Sequence, residues 1–591
     1  MRSLGFDVRA ATDATEAAEL LAAVPANRRV ALVDPRFVGH VHALRLGLTD
    51  PRFAAATVPG ALTAQPEARA ALLRALRRVV AAVGAGSPVA PSVAEPVAED
   101  RTVPGRLAVA LDAEGTPVQR PELGSLTAAV PTGPEDRGAA QAAVAAVDDE
   151  AVRLRSAVKA HDGFFTTYFI SPYSRYIARW CARRGLTPNQ VTTASLITAL
   201  IAAGSAATGT RGGYVAAGVL LLLSFVLDCT DGQLARYSLQ YSTMGAWLDA
   251  TFDRAKEYAY YAGLALGAAR GGDDVWVLAL GAMVLQACRH VVDFSFNEAN
   301  HDAVSNTSPT AALSDKLDSV GWTVWLRRMI VLPIGERWAM IAVLTAVSTP
   351  RIVFYALLVG CSLAACYTTA GRLLRSLTRK ARRTDRAAGA LADLADSGPL
   401  AQAVAAVVRR PGGGFTAPLL AFAGALVLVA AALFTPYGGW PTVGAAVVYA
   451  VSSGLAVSRP LKGALDWLVP PVFRAAEYCT VLVLAARSDV PHAVPAAFGL
   501  VSAVAYHHYD TVYRIRGGTG APPQWLVRTI GGHEGRTLVV AVLAAVLTGA
   551  SAFTTALTAL AAAVALVVLV ESIRFWVSSS APAVHDEGEL A

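Results

Sequence analysis

Apolar residues follow two regimes along this chain. Up to about residue 125 they come in short runs such as RVALVD (29–34), mixed with helical stretches such as PEARAALLRALRRVVAAV (66–83). That mixture predicts a small soluble α/β domain. A Pro-, Ala- and Val-rich stretch at 88–104 predicts a loop or linker, and residues 135–163 predict a charged helix leading onward. From there the apolar runs lengthen to the roughly 17–25 residues that cross a bilayer. Spans are predicted near 190–209, 213–232, 245–267, 274–296, 335–349 and 351–374. After RRPGGG (409–414) a second group follows near 415–435, 440–458, 466–486, 493–513, 536–550 and 553–576. The expected fold class is therefore mainly α: a polytopic helical membrane protein with a small soluble α/β domain at its N-terminus. Its expected domains are 1–125, a linker and helix over 126–160, a membrane domain over 161–380, a linker over 381–413 and a second helical membrane domain over 414–591.

Composition agrees, with 54% hydrophobic and 16% charged residues among 591 and a mean hydropathy of +0.44. The six cysteines (Cys181, Cys229, Cys288, Cys361, Cys366, Cys479) stand singly without a CxxC pair, which indicates neither a disulfide framework nor a zinc site. The first 21 residues lack the continuous apolar core of a signal peptide, so the N-terminal domain is expected in the cytoplasm. Basic residues cluster in RLLRSLTRKARRTDR (372–386), without interleaved aromatics. This reads as a cytoplasmic segment facing anionic lipid rather than a nucleic-acid site. An even number of spans before it places the 232–245 connection near the cytoplasmic face of the cell membrane.

That connection is flanked by four aspartates, Asp228, Asp231, Asp249 and Asp253. A charged side chain at the centre of a span costs about 2.5–3.5 kcal/mol on insertion scales and marks a polar cavity or ion site. Asp228 and Asp231 are three apart at the end of one span, and Asp249 and Asp253 four apart at the start of the next, so each pair shares a helix face. Antiparallel helices would bring the four carboxylates together, where hard divalent cations, Mg²⁺ or Mn²⁺, offset their repulsion. Gly232 and Gly245 allow close approach, Ala235 keeps the face open, and Arg236 can hold a phosphate. This is equipment for phosphoryl transfer.

The full pattern D-x2-D-G-x2-A-R-x8-G-x3-D-x3-D resembles the signature of the CDP-alcohol phosphotransferases, with every position filled, and the resemblance extends over about residues 160–380. It implies a six-helix core and transfer of a substituted phosphate from a CDP-linked donor to an alcohol or polyol-phosphate acceptor. CMP would leave, in phospholipid or polyol-phosphate synthesis. By the same resemblance Asp228, Asp231 and Asp249 ligate two divalent cations, with Asp253 near them and acting as the base. Gly232, Ala235, Arg236 and Gly245 would line the CDP site, and Pro188 and Asn189 in LTPNQVT (186–192) would contact the nucleotide. Pairing into homodimers is a further implication.

Three alternatives stay open: structural ion pairs (Asp228 with Arg236, Asp249 with Arg254 or Lys256), an ion-translocating protein, and an inactive scaffold. Residues 162–180 read as an amphipathic helix on the membrane surface. Arg289, His290 and Asp293 could reach an acceptor pocket or simply be solvated. The N-terminal domain resembles a sugar-nucleotidyltransferase-like fold, with Asp34 at the end of a strand. It lacks the expected Gly-rich loop, so a degenerate, structural or regulatory role is expected. The C-terminal group resembles an uncharacterised domain that follows such transferases. Among its polar residues Asp466, Arg474, Glu477, His507, His508, Asp510 and Arg514, internal ion pairs such as Arg474 with Glu477 or Asp510 are expected.

Overall fold

The computed structural model describes residues 1–26, 28–50, 53–84, 102–159, 162–301, 331–378, 383–408, 414–547, 549 and 551–578. The N-terminal part is α/β, as its short apolar runs require. Strands β1 (Val30–Val33), β3 (Ala55–Val58), β4 (Ala61–Ala64) and β5 (Val118–Gln119) form a sheet of order β1-β4-β3-β5. It is antiparallel except for the β3–β5 pair. A separate pair, β2 (Val38–Gly39) with β6 (Ala128–Ala129), carries the unit a few residues past 125. Helices α1 (Ala14–Ala23), α2 (Val41–Thr49), α3 (Arg69–Gly84) and α4 (Val103–Ala113) accompany the sheet, and Leu62, Leu72, Leu76, Leu107 and Leu111 are buried in its core. Most of the stretch expected as a linker at 88–104 lies outside the described residues, and its end, from Val103, is helical under a Thr102 cap. Asp34 does follow β1, and its carboxylate is engaged by Arg36 through Nε at 3.1 Å and Nη2 at 3.0 Å.

The single charged helix expected over 135–163 is instead two, α5 (Pro134–Ala145) and α6 (Asp149–Ser156). Asp148 breaks it: its side chain accepts from the Ala151 amide at 3.0 Å and starts a new helix.

The membrane part begins with α7 (Ser171–Arg183), which exposes Tyr173, Tyr176 and Trp180 as an interfacial helix should. Then come α8 (Pro188–Ala207), α9 (Arg211–Ser238), α10 (Thr243–Arg270), α11 (Trp276–Asn300), α12 (Ile334–Val347) and α13 (Pro350–Thr378). The second group comprises two short helices, α14 (Asp385–Leu394) and α15 (Pro399–Val407), then α16 (Thr416–Phe434), α17 (Trp440–Val457), α18 (Val469–Arg487) and α19 (Ala493–Arg516). It closes with α20 (Gln524–Thr529), α21 (Gly532–Val546) and α22 (Ala552–Ser578). Each of the twelve predicted spans coincides with one of these helices. Eight of the described helices are long and apolar enough to cross a membrane by themselves. Of the other four, α12 and α21 have only 14 and 15 residues, α10 carries the charges discussed below, and α19 carries two histidines, an aspartate and two arginines in its second half.

Small residues set the packing of the first bundle. A Cβ on Gly263 or Gly267 of α10 would lie 2.4 Å from the Ala203 carbonyl or 2.0 Å from the Ala206 carbonyl of α8, so the two backbones meet through these glycines. The C-terminal end of α9 is held from outside the bundle. Ser174 donates to Gln233 Oε1 at 2.8 Å, Arg153 Nη2 donates to the Tyr237 carbonyl at 3.3 Å with its guanidinium 4.0 Å from that ring, and Arg45 of the N-terminal α/β part donates to the Ser238 carbonyl. Cations on the last carbonyls of a helix complement its dipole. The N-terminal α/β part thus holds the helix end that leads into the site.

Candidate metal and nucleotide site

Helix α9 ends at Leu239, whose left-handed backbone (φ 51°) turns the chain, and α10 starts under a Ser242 cap that accepts from the Gly245 amide at 2.9 Å. Both helices pack on α8, and the short reversal turns carboxylates of the second half of α9 and the first half of α10 toward one another. Carboxylate oxygens of Asp228, Asp249 and Asp253 then lie within 4.8 Å of one another. Asp231, one turn along α9, stands outside this trio; it is buried, and its Oδ2 has no hydrogen-bond partner. A buried carboxylate oxygen without a donor is costly, and three more carboxylates crowd the same end of the bundle. An all-oxygen, strongly anionic donor set of this kind fits a hard divalent cation such as Mg²⁺ or Mn²⁺.

Lys256 already supplies part of the counter-charge. Its side chain is fully buried, its ammonium pairs with Asp228 and lies 2.9 Å from Asp253 Oδ1, and it donates to Ser195 Oγ at 3.2 Å. The sequence offers Lys256, like Arg254, as a partner of Asp249; in the structure Lys256 bridges Asp228 and Asp253 instead. The signal that could have found it is spacing, because residue 256 is three beyond Asp253 and shares its helix face.

The nucleotide-side candidates come together at the same end. A Cβ at Gly245 would lie 2.8 Å from Asn189 Oδ1 and 2.9 Å from Ser242 Oγ, so α8 and α10 touch through this glycine and bring Asn189 to the rim. Pro188 opens α8, whose Thr187–Gln190 capping box pins that terminus. At Gly232, by contrast, a Cβ would meet nothing closer than Arg236 Nη1 at 3.5 Å. Protein packing does not demand glycine there, and the bare helix surface leaves room for a ligand below the Arg236 guanidinium. Ala235 is buried, and Arg236 donates through Nε to the Ala157 carbonyl at 2.6 Å, which steadies its guanidinium.

A second buried charge cluster supports the trio from behind. Glu257 accepts from Arg254 at 2.7 Å and from the Tyr261 hydroxyl at 2.8 Å, and Arg337 of α12 lies 3.4 Å away. His290 joins it at 3.1 Å from Arg254 Nη1, while Asp293 pairs with Arg372 and Arg289 donates to the Val331 carbonyl. In the C-terminal group Arg474 pairs with Glu477 at 2.7 Å, as expected. Asp510 pairs with Arg514 at 2.8 Å rather than with Arg474, one turn along its own helix. His507 reaches Asp396 at 3.1 Å, and Asp466 accepts from the Gly463 amide at 2.7 Å.

Comparison with known proteins agrees with this geometry. Residues 185–362 match the family model described as CDP-alcohol phosphatidyltransferase, and residues 385–591 match a family of unknown function, DUF5941. A phosphatidylinositol phosphate synthase of Streptomyces avermitilis is 33% identical over 131 residues, 22% of this chain and 51% of the relative. An archaetidylinositol phosphate synthase of Pyrococcus horikoshii is 30% identical over 113 residues, 19% of this chain and 58% of the relative. A bifunctional IPC transferase and DIPP synthase of Aquifex aeolicus is 31% identical over 132 residues, 21% of this chain and 29% of the relative. The chain thus spans between about a third and rather more than half of the length of these relatives. The segment 185–362, which carries the signature residues of α9 and α10, thus matches the CDP-alcohol phosphatidyltransferase family.

Proposed function

We propose that this protein transfers a substituted phosphate group from a CDP-linked donor to an alcohol acceptor and releases CMP. The observation that carries this reading is the convergence of Asp228, Asp249 and Asp253 beside the Gly232–Arg236 surface and the Asn189–Gly245 contact. Asp228, Asp231 and Asp249 would hold the divalent cations, which when bound supply positive charge to the phosphates of donor and leaving group. Arg236 and the open face at Gly232 receive the pyrophosphate, and Asn189 and Pro188 border the cytidine. Asp253 takes the proton of the acceptor hydroxyl. A new O–P bond forms at the donor's distal phosphorus as its bond to the CMP oxygen breaks, and CMP departs with both electrons of that bond. Lys256 keeps Asp228 and Asp253 in register and reduces the repulsion between them.

The names of the relatives favour inositol phosphate as the first acceptor to test, in keeping with a phosphorylated polyol. The basic segment at 372–386 supports a site near the cytoplasmic face. Engagement of Asp34 by Arg36 supports a structural rather than nucleotidyl-transferring N-terminal domain.

Asp228→Ala and Asp249→Ala are each expected to weaken Mn²⁺ and CDP binding together, by tenfold or more on the scale of a lost charge-assisted contact, roughly 1.5–3 kcal/mol. Paramagnetic titration of Mn²⁺ with and without CDP reads both, and unaltered metal affinity in the two variants would remove them from the metal site. Gly245→Ala forces its new methyl against Asn189 and Ser242. It should raise the CDP dissociation constant while the protein still melts cooperatively; an unchanged constant would detach Asn189 from the nucleotide.

A further inference from the structure

The second membrane domain repeats the first. Helix by helix, α16, α17, α18, α19, α21 and α22 follow the neighbour pattern of α8, α9, α10, α11, α12 and α13. The first helix of each set packs on the second and third, the second on the fifth, the third on the fourth, and the fourth on the sixth. Even the short helix ahead of each set agrees, because α7 packs on α9 and α15 packs on α17.

The sequences agree at matching places without a gap. Residues 247–258 read WLDATFDRAKEY and residues 467–478 read WLVPPVFRAAEY, identical at 6 of 12 positions. Residues 337–347, RWAMIAVLTAV, and 536–546, RTLVVAVLAAV, are identical at 6 of 11. The shared polar residues make the same contacts. Arg254 pairs with Glu257 at 2.7 Å, and Arg474 pairs with Glu477 at 2.7 Å. Arg337 reaches Glu257 from the fifth helix, as Arg536 reaches Glu477. One position out of this register, Glu336 accepts from the Phe165 amide ahead of α7, and Glu534 accepts from the Gly398 and Ala401 amides at the start of α15. A buried glutamate bound by an arginine one turn back and by a second arginine from the fifth helix is a specific construction, and it occurs twice.

The two copies also face each other reciprocally. Helix α10 packs on α19 and α22, and α18 packs on α11. Trp247 stacks on Trp576 of α22 with centroids 6.1 Å apart, while Trp467, its counterpart, lies edge-on to Phe296 of α11 at 5.4 Å and donates to Ser376 Oγ of α13 at 2.9 Å. Contacts in which each half offers the same elements to the other are those of a twofold dimer. The chemistry, however, is present once. Asp249, Asp253 and Lys256 correspond to Val469, Phe473 and Ala476, and α17 has no acidic residue at all.

We infer that residues 385–578 are a divergent second copy of the transferase fold that has lost the metal carboxylates and serves as the built-in partner of the first copy. The face that α10 and α11 would offer to a second chain is covered by α18, α19 and α22 of the same chain, so the working unit is one chain with one site. The pairing rests on the fold alone; only the count of nucleotide sites rests on the proposed reaction.

Native mass spectrometry of the full chain in lipid nanodiscs, with Mg²⁺ and CDP, tests this. The expected result is one 61.4 kDa chain per particle, binding one CDP. Two chains per particle would overturn the built-in partner, and two CDP per chain would overturn the silence of the second copy. One chain that binds no CDP would leave the pairing standing and count against the proposed reaction instead.

Discussion

Asp253→Asn lowers CMP release by about 10²–10⁴-fold, the usual contribution of a positioned general base, and leaves binding of the CDP-linked donor within a few-fold of the native protein. Asparagine keeps the size of the side chain and one oxygen near Asp228 and Asp249, so the carboxylate cluster persists with one charge fewer. What disappears is the acceptor for the hydroxyl proton. Single-turnover release of CMP beside equilibrium binding of CDP separates the two effects. Turnover within threefold of the native rate would remove Asp253 from the base role, and loss of CDP binding in parallel with rate would recast it as a metal ligand only.

Lys256→Met makes stability depend on divalent metal. The ammonium is fully buried between Asp228 and Asp253, and removing one partner of a buried ion pair costs about 3–5 kcal/mol because the other charge is left uncompensated. Methionine fills the volume, so the loss is mainly electrostatic. A cation bound at 100 times its dissociation constant returns about 2.7 kcal/mol, which is most of that loss. The variant should therefore melt well below the native protein in chelator and approach it in Mg²⁺, whereas the native protein shifts less. Equal shifts in the two proteins would show that Lys256 and the metal do not compensate the same carboxylates.

The spans were legible because lipid imposes length and apolarity on every helix, and each of the twelve predicted segments is helical. The signature aspartates were legible because charge in such segments is rare. Local chemistry hid the break at Asp148, where a capping carboxylate outweighs helical propensity. The clasp on the end of α9 was not legible either: Arg45 and Arg153 lie far away in sequence, and nothing local marks them as partners of Tyr237 and Ser238. Lys256 was visible but assigned to the wrong carboxylate, since residues 249, 253 and 256 all lie on one face of α10 and only the position of α9 decides between them. The internal repeat was hidden because the two copies differ at the residues that drew attention. They agree at Trp247 and Trp467, at Arg254 and Arg474, and at Glu257 and Glu477, which hold helices together rather than perform chemistry. Pairwise comparison of buried ion pairs exposes it at once, because two arginines on one buried glutamate leave little freedom in how the surrounding helices are arranged.

The most direct test of the central claim is CMP release by the purified full chain with Mg²⁺ or Mn²⁺, across CDP-linked donors crossed with inositol phosphate, glycerol phosphate and unphosphorylated polyols, beside Asp253→Asn. The account predicts release that requires metal, one donor and one acceptor, and that falls away in the variant. Absence of release together with absence of metal-dependent CDP binding would contradict it.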